Sequence, residues 1–169
     1  TTMFGSVDPG AGGHDVRVVE LLNHAATDIE QSFVDQPRVA MALRDAIGRA
    51  YQSLTLYPEA EPQFQLGLEL ARTEFGNESR EALQFQYNLA EAMMHNGKTE
   101  PALQSLSSTL TAQSQRFGPD DPDTLATTHF LAVIRVDQGR LVEGEELFRK
   151  ALAGRTRSTP PRTIRPGCG

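Results

Sequence analysis

The chain has 169 residues, 38% of them hydrophobic, with a formal net charge of −6 and one cysteine, Cys168. That apolar content is enough to bury a core and excludes wholesale disorder, and the acidic balance argues against a nucleic-acid partner, because phosphate binding wants a basic face. A lone cysteine excludes an internal disulfide, and no apolar run approaches the ~18 residues of a membrane span.

Residues 1–15 hold Gly5, Pro9, Gly10, Gly12 and Gly13. Each glycine costs a helix roughly 1 kcal/mol, so this stretch is expected to be a flexible linker. Residues 16–34 read as an amphipathic helix with Val18, Leu22, Ala25, Ala26, Ile29 and Phe33 on one face. A break at 35–37 follows, where Asp35 or Gln36 can cap and Pro37 suits a first helical turn. Helices are then expected near 38–54 and 58–75, joined by a tight turn at 55–58. Ile47, Ala50, Tyr51 and Leu54 form a stripe on the first, and Ala60, Phe64, Gly67 and Leu68 form one on the second. Neither stripe can be buried by its own helix, and the short turn makes each helix the other's partner. Pro62 lies early in the second helix and predicts a slight kink.

Residues 76–79 link to helices near 80–96 and 99–117, divided by a helix stop at Asn96 and Gly97. Residues 118–123 read GPDDPD, with Asp121 placed as an N-cap ahead of Pro122. The last helices are expected near 122–138 and 141–154, divided by Gly139. Residues 155–169 are rich in Pro, Arg, Thr and Gly and show no periodicity. They are expected to be a disordered tail, in which Arg155, Arg157, Arg162 and Arg165 are solvated charge.

The pattern repeats at a period of 42 residues. Ile47 returns as Leu89 and Leu131, Gly48 as Ala90 and Ala132, Ala60 as Ala102 and Gly144. Phe64 returns as Leu106 and Phe148, Leu68 as Leu110 and Leu152, and Gly97 as Gly139. Phe75 and Gly76 return as Phe117 and Gly118. Fixed-period self-similarity is the signature of a solenoid. One period before Phe64, Gly67, Leu68 and Phe75 lie Leu22, Ala25, Ala26 and Phe33, so the helix at 16–34 is the second half of an earlier unit and caps the stack. The expected fold is therefore all-α: a right-handed α-solenoid of antiparallel helix pairs, seven helices in about 3.5 repeats, with the cap at 16–34 and repeats at about 37–76, 79–118 and 121–154. Phe64, Leu106 and Phe148 are expected to hold the pairs. At the far end the position of Phe75 and Phe117 falls on Thr159, so uncovered apolar surface is expected there.

These residues resemble the tetratricopeptide repeat. That family places a Leu-Gly pair and then an aromatic in the first helix, and Ala, an aromatic and Ala in the second. The first repeat has Ile47, Gly48, Tyr51, Ala60, Phe64 and, in place of the last Ala, Gly67. The second keeps Leu89, Ala90, Ala102 and Leu106 but has Met93 and Thr109; the third keeps Leu131, Ala132, Phe148 and Ala151 but has Arg135 and Gly144. The usual period is about 34; a period of 42 resembles the kinesin-light-chain type. Residues 6–26, 35–40 and 56–63 further resemble the region behind the catalytic domain of large bacterial serine/threonine protein kinases, although no catalytic-domain motif is present.

The sequence offers no catalytic, cofactor-binding or metal-binding residues. His14, His24, His95 and His129 are scattered, with no pair at i, i+4 and no zinc spacing. Glu59, Glu61, Glu143, Glu145 and Glu146 sit at the starts of second helices, where they complement the helix dipole. Gly10–Gly13 lacks the lysine and preceding strand of a phosphate loop. The resemblance implies a non-catalytic scaffold, with no cofactor, that binds a protein or peptide on a concave face lined by the first helices. The positions so implied are Asp45, Arg49 and Gln52, then Tyr87, Asn88, Glu91 and Met94, then His129, Val133 and Val136. Of these Arg49, Tyr87, Asn88, Glu91, Met94 and His129 are the candidate partner contacts, Asn88 as an amide that can bracket a peptide backbone. The alternative for Tyr87 and His129 is packing between adjacent repeats. No nucleic-acid partner and no membrane insertion are expected, a cytoplasmic location is, and oligomeric state is open. The second functional reading is a regulatory or sensor segment of a bacterial serine/threonine kinase whose catalytic domain lies outside this chain.

Overall fold

The computed structural model describes residues 13–158, and all regular structure among them is helical. Seven helices run in order: α1 (Gly13–Ser32), α2 (Pro37–Ser53), α3 (Tyr57–Phe75), α4 (Arg80–His95), α5 (Thr99–Arg116), α6 (Pro122–Asp137) and α7 (Leu141–Ser158). Most of the expected linker and tail, residues 1–12 and 159–169, lies outside the described residues. At both ends the helices run further than expected. α1 begins at Gly13, and α7 continues through Arg155 and Arg157 to Ser158. The cause at the C-terminal end is visible. Two cations in the last turn favour the negative end of the helix dipole, and Arg157 makes a two-point bond to Asp120, Nε to Oδ2 at 2.8 Å and Nη2 to Oδ1 at 2.7 Å. Arg157 is therefore an anchor rather than solvated tail.

The helices fall into two compact units, Thr1–Thr99 and Glu100–Gly169. In the first, α1 packs on α2, α2 on α3 and α3 on α4. Phe64 lies at its centre with no exposed surface, surrounded by Ile47, Tyr51, Ala60, Leu68 and Ala71, and Phe85 and Leu89 extend the same core into α4. The helices cross closely because a side chain is missing where they meet. A Cβ on Gly48 would stand 2.5 Å from the Phe64 ring, and one on Gly67 would stand 2.2 Å from the Phe85 ring. The small residues of the sequence pattern are thus the sockets of the aromatic ones. α1 is tied down by polar groups as well. The Tyr51 hydroxyl donates to Asn23 at 2.7 Å, and the buried Arg44 donates to the Ala26 carbonyl at 3.2 Å and to Gln63 at 2.6 Å.

In the second unit α6 packs on α7, and a buried bond from the Thr127 hydroxyl to Gln113 at 2.7 Å joins α6 to α5. The Asp121 cap forms, accepting from the Asp123 amide at 3.0 Å. Two positions differ from their counterparts in the first unit. Phe148 meets His129 of α6 but is only half-buried, whereas Phe64 and Leu106 are fully enclosed. Val136, an expected inward position, also approaches α7 at Gly144, where a Cβ would meet its methyl at 2.6 Å, and it keeps 37% of its surface exposed.

The turns repeat with the same period as the helices. After α4, the Gly97 amide donates to the Met94 carbonyl at 3.1 Å and the Lys98 amide to Met93 at 2.9 Å. After α6, the Gly139 amide donates to Val136 and the Arg140 amide to Arg135, each at 2.8 Å. This is the Schellman arrangement, which needs a left-handed residue just past the cap. Gly97 and Gly139 supply it at φ 77° and 75°. After α2 the same two bonds form, Thr55 to Gln52 and Leu56 to Tyr51, each at 2.9 Å, but the left-handed residue is Thr55 at φ 59°. A β-branched residue is strained there, because its Cβ crowds the backbone by roughly 1–2 kcal/mol. Thr55→Gly is expected to relieve that strain, partly offset by the greater freedom of glycine in the unfolded chain. The expected gain is ~0.5–1 kcal/mol, read as a rise in thermal midpoint of ~1–4 °C; a fall would show that the threonine contributes more than its strain.

Candidate protein-binding seam

The first helices of neighbouring repeats, α2 and α4, run side by side in the first unit and form a seam with two parts. At its N-terminal part is an apolar groove of about 330 Å³. Met41, Ala42, Phe75 and Phe85 supply its apolar walls, and Arg38, Asp45, Glu81 and Gln84 its polar ones. Arg38 lies over the Phe75 ring, 5.1 Å from its centre, a cation–π contact that holds the guanidinium at the edge of the groove. At its C-terminal part the seam becomes a polar ladder. The Gln84 amide donates to Asn88 Oδ1 at 3.1 Å, Asn88 Nδ2 donates to Asp45 Oδ1 at 3.1 Å, and Arg49 Nε donates to Asp45 Oδ2 at 2.8 Å. One turn further, Gln52 donates to Glu91 at 3.3 Å.

Five of the six candidate contacts lie on this seam or beside it. Arg49 is exposed, and its guanidinium is held by Asp45. Glu91 and Met94 are half-buried. Tyr87 is half-buried; burial pushes its hydroxyl up to about 12, and the nearby Glu91 carboxylate pushes in the same direction, so at neutral pH it is a neutral donor. Asn88 is different in kind. It is only 4% exposed, and both ends of its amide are engaged within the protein. It joins α4 to α2 rather than presenting itself at the surface. The sixth residue, His129, belongs to the second unit, where it is exposed and meets the Phe148 ring edge-on at 5.2 Å.

The groove residues were not among the expected contacts, yet a signal for them exists. Arg38, Met41, Ala42 and Asp45 follow one another at steps of three, one and three, so they share one face of α2 and continue the stripe of Arg49 and Gln52 toward its N-terminus. Among the described residues no group of three His, Cys, Asp or Glu side chains is arranged to hold a metal ion, and no helix is long and apolar enough to cross a membrane.

The paired helices, their glycine sockets and their repeated turns have counterparts in known proteins. Residues 81–157 match the family model of the tetratricopeptide repeat. This stretch is tetratricopeptide-repeat sequence. The α2–α3 hairpin carries the same residue pattern one period earlier. Among solved structures, the chain is similar to a putative kinesin light chain of Podosopora anserina with nearly identical TPR-like repeats, at 24% identity and a TM-score of 0.63, over 72% of this chain and 58% of that one. A single-substitution variant of the same protein matches at 24% identity and a TM-score of 0.62, over the same shares of the two chains. BtubC (BKLC) from P. vanneervenii matches at 16% identity and a TM-score of 0.70, over 90% of this chain and 60% of that one. At these identities the likeness is one of fold. The chain spans about three-fifths of the length of these solved structures. No curated protein matches it significantly.

Ala90 and Ala132 lie within the matched stretch and are buried, as is Gly48 one period earlier. Asn88 lies in the same stretch, and the geometry makes it a structural residue. Asn88→Ala is expected to lower stability by ~1–3 kcal/mol, because Asp45 and Gln84 each lose a hydrogen-bond partner at a partly buried site. Denaturant unfolding measures it, and an unchanged midpoint would mean that water replaces the amide without cost.

Proposed function

We propose that this chain is a non-catalytic protein-interaction scaffold, and that its first unit receives an extended peptide or protein loop along the α2–α4 seam. The observation that carries the reading is the continuity of an apolar groove with a row of polar groups on one helix face. A volume of about 330 Å³ is at the small end of ligand pockets, sized for one large side chain. The exposed polar groups further along, Arg49, Gln52 and Glu91, then face the backbone and polar side chains of the same segment. Tyr87 and Met94 add adaptable contact area beside them, and His129 is the contact proposed for the second unit. Repeat folds of this kind present extended surfaces to proteins and peptides. The compartment proposed is the cytoplasm.

Ala42 offers a clean test, because it lines the groove but is itself exposed. Ala42→Trp is expected to fill the groove and leave the helix intact. Peptides selected from a displayed random library on the native chain are expected to bind the variant about tenfold more weakly or worse, a loss of at least ~1.4 kcal/mol. Peptides that bind both forms equally would place the site elsewhere.

A second reading is a regulatory segment of a bacterial serine/threonine kinase. It is supported by the likeness of residues 6–26, 35–40 and 56–63 to the region behind such catalytic domains. The reading frame ahead of Thr1 tests it: a kinase domain there is the expected finding, and a frame without one rejects this reading while leaving the scaffold reading intact.

A further inference from the structure

α7 is the second helix of its repeat, and the corresponding face of α3 is a docking face. On α3 that face carries Glu61, Gln65, Leu68 and Arg72. Leu68 is buried, Glu61 accepts hydrogen bonds from Asn96 at 2.9 Å and Lys98 at 2.6 Å, and Arg72 donates to Gln86 at 3.2 Å. The partners of Glu61 and Arg72 belong to α4 or the turn that follows it, while Gln65 donates to Glu69 on α3 itself at 2.9 Å. Two periods later the same positions are Glu145, Arg149, Leu152 and Thr156. There the apolar groups face solvent: Leu152 is 65% exposed, Val142 72% and Leu141 63%. Glu145 and Arg149 form an ion pair with each other at 2.6 Å on the open surface.

The order of residues along this face is self-complementary. Val142, Glu145, Arg149 and Leu152 follow at steps of three, four and three, so they share one side of the helix. Rotating α7 end for end about a two-fold axis level with Leu147 brings Val142 opposite the partner's Leu152. The same rotation brings Glu145 opposite the partner's Arg149. An isologous interface demands this reciprocity, each residue meeting its counterpart twice. A parallel arrangement would instead set Glu145 beside Glu145 and Arg149 beside Arg149. We propose that the outer face of α7 is a homodimer interface in which two copies of the helix pack antiparallel, apolar at the ends and joined in the middle by a four-membered network of Glu145 and Arg149 from both copies. The patch is small, so the association is weak and concentration-dependent. It is independent of the peptide seam, which lies on other helices.

The test is sedimentation equilibrium of the 169-residue chain across a concentration series. The expected result is a mass rising toward twice that of the monomer. Leu152→Glu is expected to hold the mass at the monomer value, with a thermal midpoint equal to that of the native chain when both are measured at a concentration where the native chain is monomeric, because the side chain is exposed. Glu145→Arg and Arg149→Glu, each alone, put like charges at the centre of the interface and are expected to weaken association about tenfold or more. An equimolar mixture of the two is expected to associate as heterodimers, because each chain then carries the charge the other lacks. Monomeric mass for the native chain up to roughly millimolar concentration, undiminished association of Leu152→Glu, or failure of the mixture to recover association would each overturn the proposal.

Discussion

The arrangement of the first unit depends on one packing relation, an aromatic ring seated where a side chain is missing. The Phe64 ring lies over Gly48, and the Phe85 ring over Gly67. The first brings α3 against α2, and the second brings α4 against α3. Burying a ring of this size contributes ~1.5–3 kcal/mol, more than the ~0.5–1.5 kcal/mol of an ordinary hydrogen bond. The separation of the helices is therefore set by these sockets. The hydrogen bonds from Asn88 to Asp45 and from Gln52 to Glu91 follow from that separation and fix rotation and register. The seam exists because α3 holds its two neighbours at a distance where medium-length polar side chains can just bridge them.

The sockets also explain a substitution pattern between repeats. Where α4 has Phe85, the equivalent on α6 is Thr127; where α3 has Gly67, the equivalent on α5 is Thr109. Both threonines are fully buried. A glycine and a large aromatic thus correspond, one period later, to two residues of middle size, a change in the direction that conserves side-chain volume. Thr127 and Thr109 then satisfy their hydroxyls locally, through Gln113 and the Ser105 carbonyl, as buried polar groups must.

Helix pairs, period and the Asp121 cap were legible in the sequence, because apolar spacing and small-to-large pairing are local signals that survive substitution. Other features were hidden for physical reasons. Thr55 carries no mark of a left-handed conformation; only its register with Gly97 and Gly139 betrays it. Asn88 lies on the stripe the pattern assigned to the surface, and helical spacing gives a direction but not a depth. Its partner Asp45 is one repeat away, so its burial depends on how two repeats stack. The groove was missed because it belongs to neither helix of a pair, but to α2, α4 and the end of α3 together. Phe148 occupies the position of Phe64, but its repeat has altered surroundings, with Gly144 and Arg135 at pattern positions.

That alteration bears on how the second unit is held. The position filled by Tyr51 in the first repeat is buried and apolar, with its hydroxyl bonded to α1. In the second repeat it is the half-buried Met93, and in the third it is Arg135, which donates to Gln138 at 2.9 Å and lies 3.6 Å from Glu143. Apolar enclosure is thus exchanged for polar bonds at this position. α7 is held instead by the crossing at Gly144, by the burial of Ala151, and by Arg157 on Asp120. Exposed bonds of this kind contribute little each, so the close crossings and the burial of Ala151 hold α7 on α6. Any partner that covers the outer face of α7 binds the packed form and not the opened one, and so stabilises the α6–α7 pair by mass action. In the proposed dimer the two copies of α7 would each supply the other with the apolar cover that α4 gives α3. Self-association and the order of the α6–α7 pair are then a single equilibrium.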